Sequence, residues 1–353
     1  MHPGVAFIPD DTVEWGLPWV APGLLLEVPR TGDRARRPSL HVEAAPGYRL
    51  RLMSGGQPLF WARIDGWWDR FGLLRSPAPL PWRLPAVSAA EVRKVTHASG
   101  TEPWWEAWMW RMGRALAHSA PSVLHAGRWC LRPLQVIRKG AACGYPISTM
   151  EWRVGQPPLP PHSPEGVLRF ERFLLEDWAL WGQPEEEQVR AGAVLPLRAP
   201  SSEDDGRVKS WRKHARAGTL PPVLLLYVDL FMKWLVLDGH DRLHAAVREG
   251  IEPPLLGLWP VREEVLPWSP AGHEGVLRSA EITLRAGATP SLVDRVNRML
   301  RLNFAGLRRS TVTRAWPLMG GVDAWRAEVG AARRKTPFSV DPQAWAWYVS
   351  ARS

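Results

Sequence analysis

The sequence predicts an α/β (α+β) protein, and three observations predict it. Between residues 193 and 259, apolar runs of strand length alternate with helical stretches over short connections, as in a small mixed α/β module. The stretch to about Ile64 alternates apolar and polar residues around glycine turns, as antiparallel strands do. From Val276 onward an apolar stripe at helical spacing accompanies much of the positive charge. These features divide the chain into an N-terminal α+β domain (1–155), a Pro-rich linker (156–163), the α/β module (164–262) and a basic helical C-terminal segment (276–353).

The size fits this division, since 353 residues at about 150 residues per domain give roughly two domains. With 45% hydrophobic and 23% charged residues, global disorder and a collagen-like repeat are excluded. Two cysteines, Cys130 and Cys143, form neither a disulfide framework nor a zinc spacing, so a reducing cytosol is expected. No apolar window approaches the length of a membrane span, and neither a span nor a signal peptide is expected. The chain has 39 Arg against 6 Lys, 22 Trp against 8 Phe and 4 Tyr, and 2 Asn. A GC-biased genome produces such usage, so the tryptophans are read first as core residues and only second as a stacking surface. The net charge of +10 is uneven: residues 276–353 hold 13 basic and 5 acidic side chains, against 32 and 30 before them.

Element by element, Tyr48 to Met53, the turn Ser54-Gly55-Gly56 and Leu59 to Trp61 read as a hairpin. Ser76 to Pro81 breaks regular structure. A helix is predicted from Ser88 through Ala117, with Trp104, Trp105, Trp108 and Met112 on its buried face. Gln156 to Pro161 is an extended linker, and Pro164 to Trp181 is predicted to be helical. Ala193 to Leu197 is a short strand. A helix capped by Ser201 or Ser202 follows, with early acids, late bases and Gly218 as its stop. Pro222 to Val228 and Trp234 to Leu237 are strands, His240 to Glu249 a helix ended by Gly250, and Leu255 to Trp259 a further strand. Thr289-Pro290 opens a helix whose Leu292, Val296, Met299 and Leu300 are apolar while Arg295, Arg298 and Arg301 line another face.

A strand running through Asp238-Gly239 straight into a helix makes an anion-binding corner. Gly239 allows close approach of a ligand, and the first free N–H groups of the helix point at it. Arg242 supplies a bidentate clamp for phosphate, and His240 a donor whose charge is tunable near neutrality. The same residues also make sense as a tight turn in which Asp238 caps the helix and Arg242 is solvated.

The run Leu237-Asp238-Gly239-His240-Asp241-Arg242-Leu243-His244-Ala245-Ala246, with Gly218 to Leu225 before it and Gly250-Ile251 after it, resembles the ParB/sulfiredoxin superfamily. The resemblance covers about residues 192–261 and implies a G-x-x-R turn that holds nucleotide phosphates. Members include CTP-hydrolysing partition proteins, ATP-using sulfiredoxins and small-molecule serine kinases with a D-G-H-H-R variant. By position, Gly239 is the close-approach glycine, His240 and Arg242 are phosphate contacts, and Asp238 starts the turn. The sulfiredoxin thiol position is His240, so sulfinic-acid repair is not expected. Where relatives carry His or Arg, this chain has Asp241. An anion in place of a cation about 4 Å from a phosphate turns an attraction into a repulsion of about 4 kcal/mol at an effective dielectric of 20. Either a divalent cation bridges Asp241 to the phosphates, or Asp241 points away, or the pocket has lost its ligand. A kinase would need a base, for which Glu203 is the candidate by position, although helix capping explains it equally.

His240 and His244 at i and i+4 imitate H-E-x-x-H, but the intervening acid is one methylene short. Only His273 and Glu274 lie downstream as third ligands, so zinc hydrolysis is set aside. Arg308, Arg309, Arg314, Arg333, Arg334 and Lys335 extend the C-terminal charge. Such a field suits nucleic acid, as in partition proteins, or a solvated face or protein partner. The expectation is a cytoplasmic, bacterial-type protein that binds a nucleoside triphosphate with Mg²⁺, or another phosphorylated small molecule, through Asp238, Gly239, His240, Asp241 and Arg242. The metal would sit on Asp238 or Asp241, and the module would act as a nucleotide-dependent switch. The alternatives are a non-enzymatic interaction module with a degenerate pocket, a serine-type kinase and a DNA-binding partition-like protein.

Overall fold

A computed structural model of the chain describes residues 5–10, 23–30, 37–65, 70–76, 84–119, 122–134, 136–137, 153–154, 174–177, 194–198, 201–231, 233–265, 270–285, 287–290, 292–293, 296–297, 300, 307–311, 313–335 and 342–350. The N-terminal part contributes β1 (Ala6–Asp10), β2 (Gly23–Val28), β3 (His41–Ala45), β4 (Arg49–Ser54), β5 (Gln57–Asp65), β6 (Arg70–Arg75), α1 (Ala89–Lys94), α2 (Glu102–His118) and β7 (Gly127–Leu134). Three short strands follow, β8 (Val136–Ile137), β9 (Arg153–Val154) and β10 (Leu174–Asp177). The module then runs through β11 (Val194–Pro196), α3 (Gly206–Arg216), β12 (Val223–Val228), β13 (Lys233–Asp238), α4 (His240–Arg248) and β14 (Leu255–Val265). The chain continues with α5 (Pro270–Arg285), β15 (Leu307–Ser310), β16 (Ala315–Pro317), α6 (Gly321–Lys335) and α7 (Pro342–Val349).

Strand β12 is apolar throughout and buried along its whole length, as a strand covered on both faces must be. It sits inside a large mixed sheet of order β1-β2-β7-β14-β12-β13-β11, with β15 also on β14. The pairing of β14 with both β7 and β12 places residues from either side of the 156–163 stretch in one sheet; that stretch lies outside the described residues. A second sheet, β10-β6-β5-β4-β3-β16, contains the expected hairpin as β4 and β5.

The two-residue period of each strand distributes its side chains among three cores. Leu224, Leu226 and Val228 of β12 join Leu52, Phe60 and Ala62 of the second sheet and the tryptophans of α2 in the main core. Val223, Leu225 and Tyr227 face the opposite way, with Trp234 and Trp259. On the outer face of the second sheet, Trp61 and Leu74 meet Trp325, Val329 and Tyr348 of α6 and α7. Trp108, Trp234 and Trp325 are fully buried, as the core reading of the tryptophans expects; each such side chain contributes on the order of 2–3 kcal/mol through removal from water.

Four expectations need correction. The helix predicted over Ser88–Ala117 is two helices: Ser88 and Glu91 form a capping box on α1, and the chain turns at Gly100 (φ +82°) before Thr101 opens α2. Within the helix predicted over Pro164–Trp181, Leu174–Asp177 is a strand paired in parallel with β6, tertiary pairing with that strand overriding the local helical spacing. Helix α3 is capped by Asp205, whose carboxylate accepts from Arg207 N, rather than by Ser201 or Ser202. The C-terminal segment is not purely helical, since β15 and β16 add to both sheets. The helix opened by Thr289 is present among the described residues, with Thr289 Oγ1 accepting from Leu292 N and Val296 buried.

The basic tail wraps onto the second sheet. Trp325 Nε1 donates to Leu50 O at 3.0 Å, Tyr348 OH to Trp61 O at 2.8 Å, and Trp61 Nε1 to Glu328 at 2.7 Å. Arg63 donates to Trp347 O in the last turn of α7 and Arg49 to Ser350 O just past it, where cations complement the negative end of the helix dipole. No helix among the described residues is long and apolar enough to cross a membrane.

Candidate functional site

The strand-turn-helix corner forms as the spacing predicts. Strand β13 ends at Asp238, Gly239 takes the left-handed conformation (φ +93°, ψ +23°) at the cap position, and α4 starts at His240. The glycine is required twice. An L-residue is disfavoured at this φ, and a Cβ built here would lie 2.8 Å from Arg242 Nη2 and 2.9 Å from its Nε. The space beside Gly239 is therefore filled by Arg242 itself.

Arg242 is 2% exposed and turned inward. Its Nη2 donates to Asp238 Oδ2 at 2.8 Å and to Pro222 O at 3.0 Å, and the guanidinium stands 5.7 Å from the centre of the Trp211 ring of α3. Its buried Nε has no hydrogen-bond partner among the described residues. Burial pushes the Asp238 carboxyl up, but the adjoining Arg242 guanidinium outweighs this, with help from Arg111 and the Gly239 N–H. The group is held below the usual carboxylate range.

His240 is equally enclosed. Leu197 N donates to His240 Nε2 at 3.1 Å, which places the ring hydrogen on Nδ1 and makes Nε2 an acceptor. Burial, reinforced by Arg198, lowers its pKa to about 3. The expected tunable cationic donor is thus a neutral side chain that anchors the segment after β11.

Asp241 resolves the charge problem raised by its presence. Arg198 Nη2 and Ser201 Oγ each donate to Asp241 Oδ1 at 2.8 Å, and Arg207 Nε lies 3.8 Å from Oδ2. Burial raises this carboxyl, and these partners more than reverse the effect. Asp241 also sits in the first turn of α4, where a negative charge complements the helix dipole. Two guanidiniums, a hydroxyl and a helix N-terminus, the groups that would receive a phosphate, converge on a carboxylate of the chain itself.

The expected Mg²⁺ does not fit these residues, because Asp238 is engaged by Arg242 and Asp241 by Arg198 and Ser201. Among the described residues no group of three His, Cys, Asp or Glu side chains converges on a metal position. His244 accepts from Arg248 Nε at 3.3 Å, and Glu203, the candidate base, is ion-paired with Arg248 on the surface. The partners Arg198, Arg207, Trp211 and the Leu197 N–H were not singled out in the sequence. The signal that could have found the first two was Asp241, an acid needing cations, flanked by a base-rich helix.

Comparison with protein-family models, with curated proteins and with solved structures finds no match.

Proposed function

We propose that this chain is a non-enzymatic interaction module with a ParB/sulfiredoxin-like corner, in which an anion receptor has become an internal lock. The observation that supports this is Arg242: the clamp expected for phosphate is buried and held by Asp238, Pro222 O and Trp211. Asp241 adds to it by occupying Arg198 and Ser201. A protein partner is favoured over nucleic acid because arginines of the tail are engaged by the chain's own rings and carbonyls. Arg314 stacks on Trp316 at 4.9 Å, Arg333 on Trp345 at 4.1 Å, and Arg326 donates to Val349 O.

The test is a thermal-shift series with nucleoside triphosphates, with and without Mg²⁺. A nucleotide present at 100 times its Kd would stabilise the fold by about 2.7 kcal/mol, roughly 5–10 °C for a protein of this size. No shift with any nucleotide is the expected result, together with no phosphorylated product from ATP and free serine. A specific shift that disappears in Arg242→Ala would restore the nucleotide-switch reading.

A further inference from the structure

Strand β16 carries Trp316 into the seam between the two sheets, beside a cavity of about 40 Å³ lined by Leu40, His41, His125, Trp129 and Arg314. Two imidazoles stand edge-on to the Trp316 ring, His41 at 5.5 Å and His125 at 6.5 Å between centroids. Two guanidiniums lie against the same ring, Arg314 at 4.9 Å and Arg37 at 6.0 Å. The tail therefore enters the second sheet through a ring of groups that tolerates little added positive charge.

The two histidines differ in what a second proton would meet. His125 Nδ1 lies 2.9 Å from Ala126 O and so carries the hydrogen. Its Nε2 is a buried lone pair with no partner among the described residues, and its ring packs 4.6 Å from that of Trp129. A proton on Nε2 would be a buried cation with no acceptor, facing Arg314. His41 donates through Nδ1 to Pro38 O, and its Nε2 lies 3.4 Å from Glu43 Oε1, so a second proton there finds a carboxylate that opposes, without reversing, the lowering of its pKa by burial. Glu43 is shared with Arg37 and with Arg51 of β4, and Arg51 in turn holds Glu328 of α6.

We propose that His125 is an acid-sensing wedge, and that its protonation releases β16, with α6 and α7 behind it, from β3 of the second sheet. What opens is the outer face of the second sheet around Trp61 and Leu74. Burial first, and then Arg314, hold the His125 pKa below its ordinary value, opposed by the bond to Ala126 O. The latched form consequently favours the neutral ring. Once solvated, the ring binds a proton more readily, so acid drives the equilibrium toward release.

The test is hydrogen exchange of residues 315–335 in the full chain between pH 7.5 and 5.0, normalised to intrinsic rates. Wild type is expected to lose protection in this segment as pH falls, by up to about tenfold per pH unit, the ceiling for one proton. His125→Phe, which keeps a ring but cannot titrate, is expected to remove most of the response, and His41→Asn to retain most of it. An acid response unchanged in His125→Phe, or absent from wild type, overturns the proposal. If His125→Phe does not fold, NMR titration of the His125 ring in wild type decides: tail exchange that fails to follow that curve overturns the proposal equally.

Discussion

Arg242→Met keeps an unbranched side chain beside Trp211 while deleting the guanidinium that holds Asp238. The Asp238 side chain is 17% exposed, so the substitution leaves a largely buried carboxylate without its bonded cation. Removing one member of such a pair costs about 3–5 kcal/mol, which at 2–4 °C per kcal/mol lowers Tm by roughly 6–20 °C. The pH dependence makes the test sharper. In wild type the folded Asp238 pKa is depressed, so its contribution is complete above the unfolded carboxylate range and is lost as pH falls through the folded value. In the variant the burial effect, which raises the pKa, dominates. The destabilisation is then largest near pH 7 and shrinks on acidification, as Asp238 takes up a proton. Urea denaturation at pH 7.0 and 4.5 measures both effects. A loss below about 1 kcal/mol, the value of a solvated ion pair, or one that does not change with pH, would refute the reasoning.

Other substitutions probe the rest of the corner. Gly239→Ala meets both a left-handed backbone and the Arg242 guanidinium, and is expected to destabilise by about 2–4 kcal/mol in urea unfolding. His240 has a folded pKa of about 3, so its stabilisation is complete above the ordinary histidine value near 6.5 and declines as pH falls between the two. His240→Leu should flatten that part of the wild-type stability profile. Asp241→Ser removes the carboxylate that neutralises Arg198 and Arg207. It is expected to cost about 1–3 kcal/mol and to create phosphate binding, absent from wild type, detectable by calorimetry. Trp325→Ala, at the centre of the tail contact, is expected to cost about 3–5 kcal/mol and to expose the tail to protease.

The order of elements from Val194 to Val265 was readable because strand-length apolar runs and turn residues recur there at close intervals. The backbone of the corner was readable as well: Asp238-Gly239 before a helical pattern leaves few other conformations. What could not be read was the direction of its side chains. Whether Arg242 faces a guest or Asp238 depends on Pro222 and Trp211, which are distant in sequence and adjacent only in the fold. Leu174–Asp177 misled for the same reason, since helical spacing is a local property and the edge of β6 is not. The tail's positive charge was legible. Its use in tying the tail to the second sheet was not, because Arg37, Arg49, Arg51 and Arg63 lie more than 250 residues before the groups they meet.

The most direct measurement is a crystal structure of the full chain grown with a non-hydrolysable nucleoside triphosphate and Mg²⁺. Arg242 on Asp238, with nothing bound beside Gly239, is the predicted result. An Arg242 guanidinium swung onto a phosphate, with Asp238 or Asp241 released from its arginine, would contradict it.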